Sequence, residues 1–251
     1  MVYSGRHGIR VLKPSLEASI PTLSSPGSAA RPHASDTGAT TAMEVAADLR
    51  ARILRGEFAP GQRLKIDDIA ALCAVSHMPV RVALQELEAE GVLDLYPHRG
   101  AVIRGVDARF VRNMLELRAA VEVMLTEQCA RLIDKPGLAE LNELAQEFEA
   151  AAARKDSLGI VNANLRLHHA INRVADNPEA MHVLGRGRLL IQALRVRFGF
   201  GPGRTDTVIA EHRALLRAIA RRDERKAGEI ARKHCEGARD ELLSLLSSAG
   251  R

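Results

Sequence analysis

Tryptophan is absent from this chain, and aromatic residues make up only 3% of it. Its cores must therefore be assembled from Leu, Ile, Val and Ala, the side chains that fill seams between helices. Cysteine is scarce: Cys73, Cys129 and Cys235 lie far apart and never fall into a CxxC pair. That excludes a disulfide framework and a zinc ribbon, and it fits thiols kept reduced in a cytoplasmic protein. No apolar run approaches the ~20 residues that a bilayer crossing requires, so no membrane partner is expected. The opening MVYSGRHGIRVLK is too polar and Arg-interrupted for a secretory signal. Neither HExxH nor a G-x-S-x-G elbow occurs, which removes two common signatures of hydrolases.

What is present suits two ordinary domains in 251 residues, 46% of them hydrophobic. A formal charge of +5 and a pI near 9.4 invite a nucleic-acid reading. The surplus is not spread evenly. Between Met43 and Arg104 eight basic residues face nine acidic ones. If that stretch binds DNA, it does so through a local basic face.

Residues 1–42, rich in Ser, Pro, Gly, Ala and Thr, show no apolar periodicity and are expected to be a disordered tail. From Met43 the pattern changes. Val45, Leu49, Ile53 and Leu54 share a helical stripe that Gly56 stops, and Pro60-Gly61 makes a turn. KIDDIAALCA is a short second helix. Ser76 caps a third, its hydroxyl able to accept from the free amides of the first turn, and Pro79 loses no hydrogen bond there. Val80, Leu84 and Leu87 form the buried stripe of that helix, and Gly91 ends it. VLDLY and AVIRG then alternate around PHRG as a β-hairpin. Three helices plus a hairpin over 43–104 spell a winged helix-turn-helix. Residues 105–251 are almost entirely helical, with breaks near 134–137, 155–159, 176–178, 198–206 and 221–226. About six amphipathic helices result, enough for an all-α antiparallel bundle. The fold class is mainly α.

The succession of APGQRL, IAALCAVSHMPVRVALQELEAEGVL and PHRGAVI resembles the GntR family of bacterial transcription regulators. PVRVALQELEAEGVL is its most specific part, and the helical half is similar to the FCD ligand-binding domain of the FadR-like subfamily. The resemblance spans roughly 43–246. It implies that the third helix enters the major groove of double-stranded DNA and places Ser76, His77, Met78 and Arg81 there. Arg81 suits base readout, because a guanidinium holds guanine O6 and N7 together. The amides of Arg99 and Gly100 at the wing tip would approach phosphate or the minor groove, Gly100 allowing close backbone approach. Three positions depart from the family pattern: His77 and Asp67, where Arg is common, and Val82, where Glu is usual. Two fewer phosphate-contacting arginines should weaken non-specific affinity and its salt dependence.

Most of the nine histidines need no function. Three have a better claim. Asn164 and His168 lie four apart on one helical face, His212 shares a stripe with Ile209 and Leu216, and His234 sits one turn beyond Ile230. His169 points about 100° away from His168. Three imidazoles and an oxygen ligand can make an open site for a divalent metal such as zinc, nickel or manganese. The FCD resemblance is what assembles them, since metal-binding members carry Asp-x-x-x-His, an EH pair and a later His. Here Asn164 stands for Asp, so the ligand set brings no charge to offset the ion. Metal affinity should fall and the pull on an anionic effector rise. Arg118 matches an Arg that points into the pocket in many members and is a candidate effector ligand. The plain alternative is an Arg118–Glu122 pair on a solvated face.

The resemblance thus implies a transcription regulator and no enzyme: a homodimeric repressor of catabolic genes that reads a pseudopalindrome and senses a small organic acid. The rivals are a metal-dependent hydrolase on a helical bundle, a regulator of acyl-CoA type without metal, and a winged helix used for protein contact.

Overall fold

The computed structural model describes residues 34–249, apart from His98 and Pro202. The expected disorder of the tail therefore lies, for residues 1–33, outside the described residues. The first helix, α1 (Ala34–Leu54), begins inside that supposed tail. Ala42 is buried while Ala39 and Thr40 are exposed, and the segment ahead of Met43 is Ala, Ser, Asp, Thr and Gly, which leaves little hydrophobic pattern to read.

Next come β1 (Arg63–Leu64), α2 (Ile66–Cys73), α3 (His77–Ala89), β2 (Leu93–Tyr96) and β3 (Gly100–Ile103). The hairpin is as expected, while β1, too short to show alternation, was not legible. It pairs antiparallel with β3, giving sheet order β1-β3-β2. Val45, Leu49, Ile53, Val80, Leu84 and Leu87 meet Leu64, Leu93 and Ile103 in one core. Arg50 clamps α1 to α3 through Glu86 and Glu90. Gly56, at φ +74°, ends α1 as foreseen.

The second half contains α4 (Ala108–Leu132), α5 (Lys135–Ala153), α6 (Ser157–Val174), α7 (Pro178–Gly185), α8 (Arg188–Phe198), α9 (Arg204–Ala220) and α10 (Glu224–Ala249). Asp107, Asp134, Asp156 and Asn177 each accept from a first-turn amide and so start α4 to α7. These are seven helices, not six, among the described residues, because the chain breaks again at Gly187. That residue adopts φ +66° and donates its N–H to the Glu90 carbonyl at 2.7 Å. The break coincides with that distant backbone contact, and Gly185 and Gly187 are the local signal that the sequence reading passed over.

One helix joins the halves. Leu189 and Leu190 of α8 are buried in the winged-helix core, whereas Ile191 and Leu194 pack with Val111, Leu115 and Leu242 of the bundle. Arg104 reinforces the seam by lying over the Phe110 ring and donating to the Gly91 carbonyl. No helix among the described residues is long and apolar enough to cross a membrane.

Candidate nucleic-acid interface and histidine centre

The start of α3 and the wing flank one cleft, lined by Arg63, Lys65, His77, Arg81, Gln85 and Arg99 among others. Ser76, His77, Met78, Arg81 and Arg99 are all exposed and Gly100 is partly so. Helical spacing explains the arrangement: Val80, Ala83, Leu84 and Leu87 turn inward, which forces Arg81 and Gln85 outward.

Three details differ from the sequence reading. Ser76 occupies the N-cap position with extended backbone, but its side chain makes no capping hydrogen bond. The Arg99 amide donates to the Tyr96 carbonyl at 3.0 Å and closes the hairpin, so the hairpin already uses it. Gly100, at φ +77°, is required from within: a Cβ there would stand 2.4 Å from the Leu64 carbonyl oxygen. Its conformational freedom brings β1 onto β3. Asp67 and His77, two of the unusual positions, face each other at 3.2 Å.

The second site lies where α4, α6, α8, α9 and α10 meet. A cavity of about 110 Å³ is bordered by Asn164, His168 and His234 together with Leu115, Val161, Ile191, Phe200 and Leu242. His168, His212 and His234 bring one nitrogen each within 4.8 Å of one another. His212 is the deepest, its ring edge-on to Phe148 at 4.9 Å. His169 is exposed, as its angular offset required.

The chemistry of this donor set can be tested on its hydrogen bonds. Asn164 Oδ1, His168 Nε2 and both nitrogens of His212 are buried with no partner among the described residues. Unsatisfied buried polar atoms are costly and rare; here those of His168 and His212 belong to one imidazole cluster, and Asn164 borders the same cavity as His168. Burial, with His234 adding to it, pushes the His168 pKa down to about 4, and burial also pushes His212 well below the usual range. Both imidazoles are therefore neutral near pH 7 and keep a lone pair, as metal ligation requires.

Carboxylates stand behind the imidazoles. Glu211 does turn away from the cavity, as its place beside His212 dictates, but its Oε2 lies 2.6 Å from His234 Nδ1. Burial raises the Glu211 carboxyl, yet hydrogen bonds from His234 and Arg204 outweigh it and hold the group below its ordinary value. A charged carboxylate on Nδ1 makes Nδ1 the donor and leaves His234 Nε2 as the acceptor. Glu122, 6% exposed, pairs with Arg118 and accepts from Cys235 Sγ at 3.2 Å. Burial raises that carboxyl, but Arg118, the neighbouring imidazoles and the Cys235 hydrogen bond together hold it below its ordinary value.

Arg118 thus resolves an alternative. It forms the pair with Glu122, but that pair is buried against the cavity and not on a solvated face; Arg118 also donates to the Leu184 carbonyl. The other buried guanidiniums are engaged likewise, Arg195 with Glu241 and Arg204 with Glu211. Arg204 Nε alone among them lacks a hydrogen-bond partner. Sequence reasoning placed Glu211 off the metal face but missed its bond to His234, and it missed Arg204 and Glu241. Arg204 and Glu211 lie two turns apart on α9, a same-face spacing that offered a faint signal; Glu241 offered none.

Comparison with known proteins agrees with both halves. Residues 41–103 match the model of the bacterial regulatory proteins, gntR family, and residues 113–237 match the FCD domain. The HTH-type transcriptional regulator McbR of Escherichia coli (strain K12) is 26% identical over 207 residues, covering 79% of this chain and 88% of that protein. The gluconate operon transcriptional repressor of Bacillus subtilis (strain 168) is 24% identical over 190 residues, covering 74% and 78%. Among solved structures, E. coli McbR/YncC superposes with a TM-score of 0.69 at 21% identity, over 84% of this chain and 99% of that one. A GntR regulator from Rhodococcus sp. RHA1 gives 0.63 at 23% identity, over 82% and 98%. The chain belongs to the gntR family of bacterial regulatory proteins, a transcription regulator that couples a DNA-binding winged helix to an FCD effector domain.

Proposed function

We propose that this regulator is a repressor of catabolic genes whose grip on DNA changes when a small organic acid enters the FCD cavity. The observation that carries the reading is α8, whose Leu189 and Leu190 sit in the DNA-binding core while Arg188, Ile191 and Arg195 border the cavity. A shift of α8 on ligand binding would move the winged helix with it. The effector must favour one arrangement over the other, and a tenfold change in operator affinity needs ~1.4 kcal/mol of that preference.

Asn164, His168, His212 and His234 would hold a divalent cation such as zinc, nickel or manganese, and the cation would supply positive charge for an acid. Three guanidiniums at the cavity, Arg118, Arg195 and Arg204, are each paired with a carboxylate, which leaves the exposed Arg188 and the cation to meet the acid. The apolar wall from Leu115 to Leu242 would cover the body of the acid. The hydrolase alternative lacks support from Glu211, the carboxylate nearest the imidazoles, which is committed to His234 and Arg204. The protein acts in the cytoplasm as a homodimer, its two recognition helices about 34 Å apart on a pseudopalindromic operator.

Gel shifts on DNA flanking its own gene test this. Binding should weaken steeply with salt, and Arg81→Ala should lower affinity about five- to hundredfold. Zinc with a candidate acid should shift the affinity of the wild type. Binding indifferent to salt and to Arg81 would refute the DNA-binding assignment, whereas an operator affinity blind to metal and acids would refute the sensing role.

A further inference from the structure

We infer that Arg188 captures the acid's carboxylate at a port between α6 and α8, and that this capture pulls on the recognition helix α3 through the elbow joining α7 to α8. The inference rests on the sensing role proposed above and adds the residue that takes the acid and the contact that transmits its arrival.

A surface groove beside the histidine cavity is bordered by Glu140, Arg166, His169 and Arg173. Leu165, Arg188 and Gln192 border both the groove and the cavity, so these three side chains form the partition between them. Leu165 comes from α6, while Arg188 and Gln192, four apart, share one face of α8. Arg166 and Arg173 are paired with Glu147 and Glu140. Arg188 is exposed and makes no ion pair or hydrogen bond among the described residues, so its guanidinium is the uncommitted cation at the partition. It offers paired donors to a carboxylate, and such a pair strengthens where water is excluded.

The neighbours of Arg188 make it more than a surface charge. Gly187, just before it, donates its N–H at 2.7 Å to the carbonyl of Glu90, the residue that caps the C-terminal end of α3. Leu189 and Leu190, just after it, are buried in the winged-helix core. From the cavity side, Arg118 donates to the Leu184 carbonyl at 3.2 Å and holds the end of α7. The elbow has little slack, since a Cβ on Gly187 would stand 2.6 Å from Met114 Cε. Drawing the start of α8 toward α6 therefore strains the Gly187–Glu90 bond and the seating of both leucines. Hydrogen bonds and packed side chains of this kind carry coupling between sites.

Operator binding by full-length protein, metal-free and zinc-loaded, with and without acetate, malonate or succinate, tests this. At least one of the three acids should change the wild-type affinity. By calorimetry Arg188→Gln should bind that acid about tenfold or more weakly, the loss of a charge-assisted hydrogen bond, with the melting temperature unchanged. Its operator affinity should ignore the acid even where calorimetry shows saturation. Arg188→Lys, which keeps the charge without the paired donors, should recover part of both. Acid binding by Arg188→Gln equal to that of wild type, or a full operator response at saturation, overturns the inference and leaves the sensing role intact. A wild type indifferent to all three acids overturns both.

Discussion

Replacing Glu211 by Gln separates a metal-holding centre from three imidazoles that are merely buried together. The substitution keeps the shape of the side chain but removes the charge that faces His234 Nδ1 at 2.6 Å and Arg204 at 2.9 Å. A carboxylate behind a ligating imidazole fixes its tautomer and raises its basicity, and its loss costs about ten- to a hundredfold in metal affinity, or ~1.4–2.7 kcal/mol. Stability of the metal-free protein should fall by no more than roughly 3 kcal/mol, because Arg204 retains Glu241 nearby and Glu211 is partly exposed. Zinc competition against a chromophoric chelator at pH 7 reads the affinity, and Glu211→Asp should recover part of it. Zinc, nickel and manganese affinities identical in wild type and Glu211→Gln would refute the reasoning, since a carboxylate bonded to a ligand must be felt by the metal. A purely structural role would lower the melting temperature without moving the metal affinity.

Other expectations follow from the same geometry. The unfolded chain protonates His168 near pH 6.5, the native one only near pH 4, so between those values the unfolded state binds more protons and metal-free stability falls as pH drops. The loss attributable to His168 is about 3 kcal/mol across that window; denaturant melts of His168→Gln should show a shallower decline, and equal slopes would contradict it. Gly100→Ala combines φ +77° with a contact of 2.4 Å to Leu64 O, so it should destabilise the wing by roughly 2 kcal/mol or more and weaken DNA binding while zinc affinity stays unchanged. Leu190→Ala should cost roughly 2–5 kcal/mol in thermal or denaturant unfolding, because Leu190 fills the winged-helix core from the bundle side; an unaltered midpoint would remove α8 from that core.

The winged helix was largely legible because its signals are local. The apolar spacing of Val80, Leu84 and Leu87, the left-handed Gly56 and Gly91, and the alternation around the hairpin each lie within a few residues. The outward position of Arg81 followed from that spacing. The three histidines were legible one at a time as inward-facing, while their convergence came from family resemblance. What the sequence hid was pairing with distant backbone, β1 completed by β3 and Gly187 held by Glu90, and also the start of α1 at Ala34, which no apolar periodicity marks.

Period, capping and turn chemistry by themselves determined most of the helices and which face of each is apolar. Only the tertiary structure decided that Glu211 reaches back to His234, that Asp67 meets His77, and that α8 is shared by both cores. The reason is physical. Periodicity says which way a side chain points but not what it meets, and ion pairs, imidazole clusters and shared helices are set by packing between segments far apart in the chain.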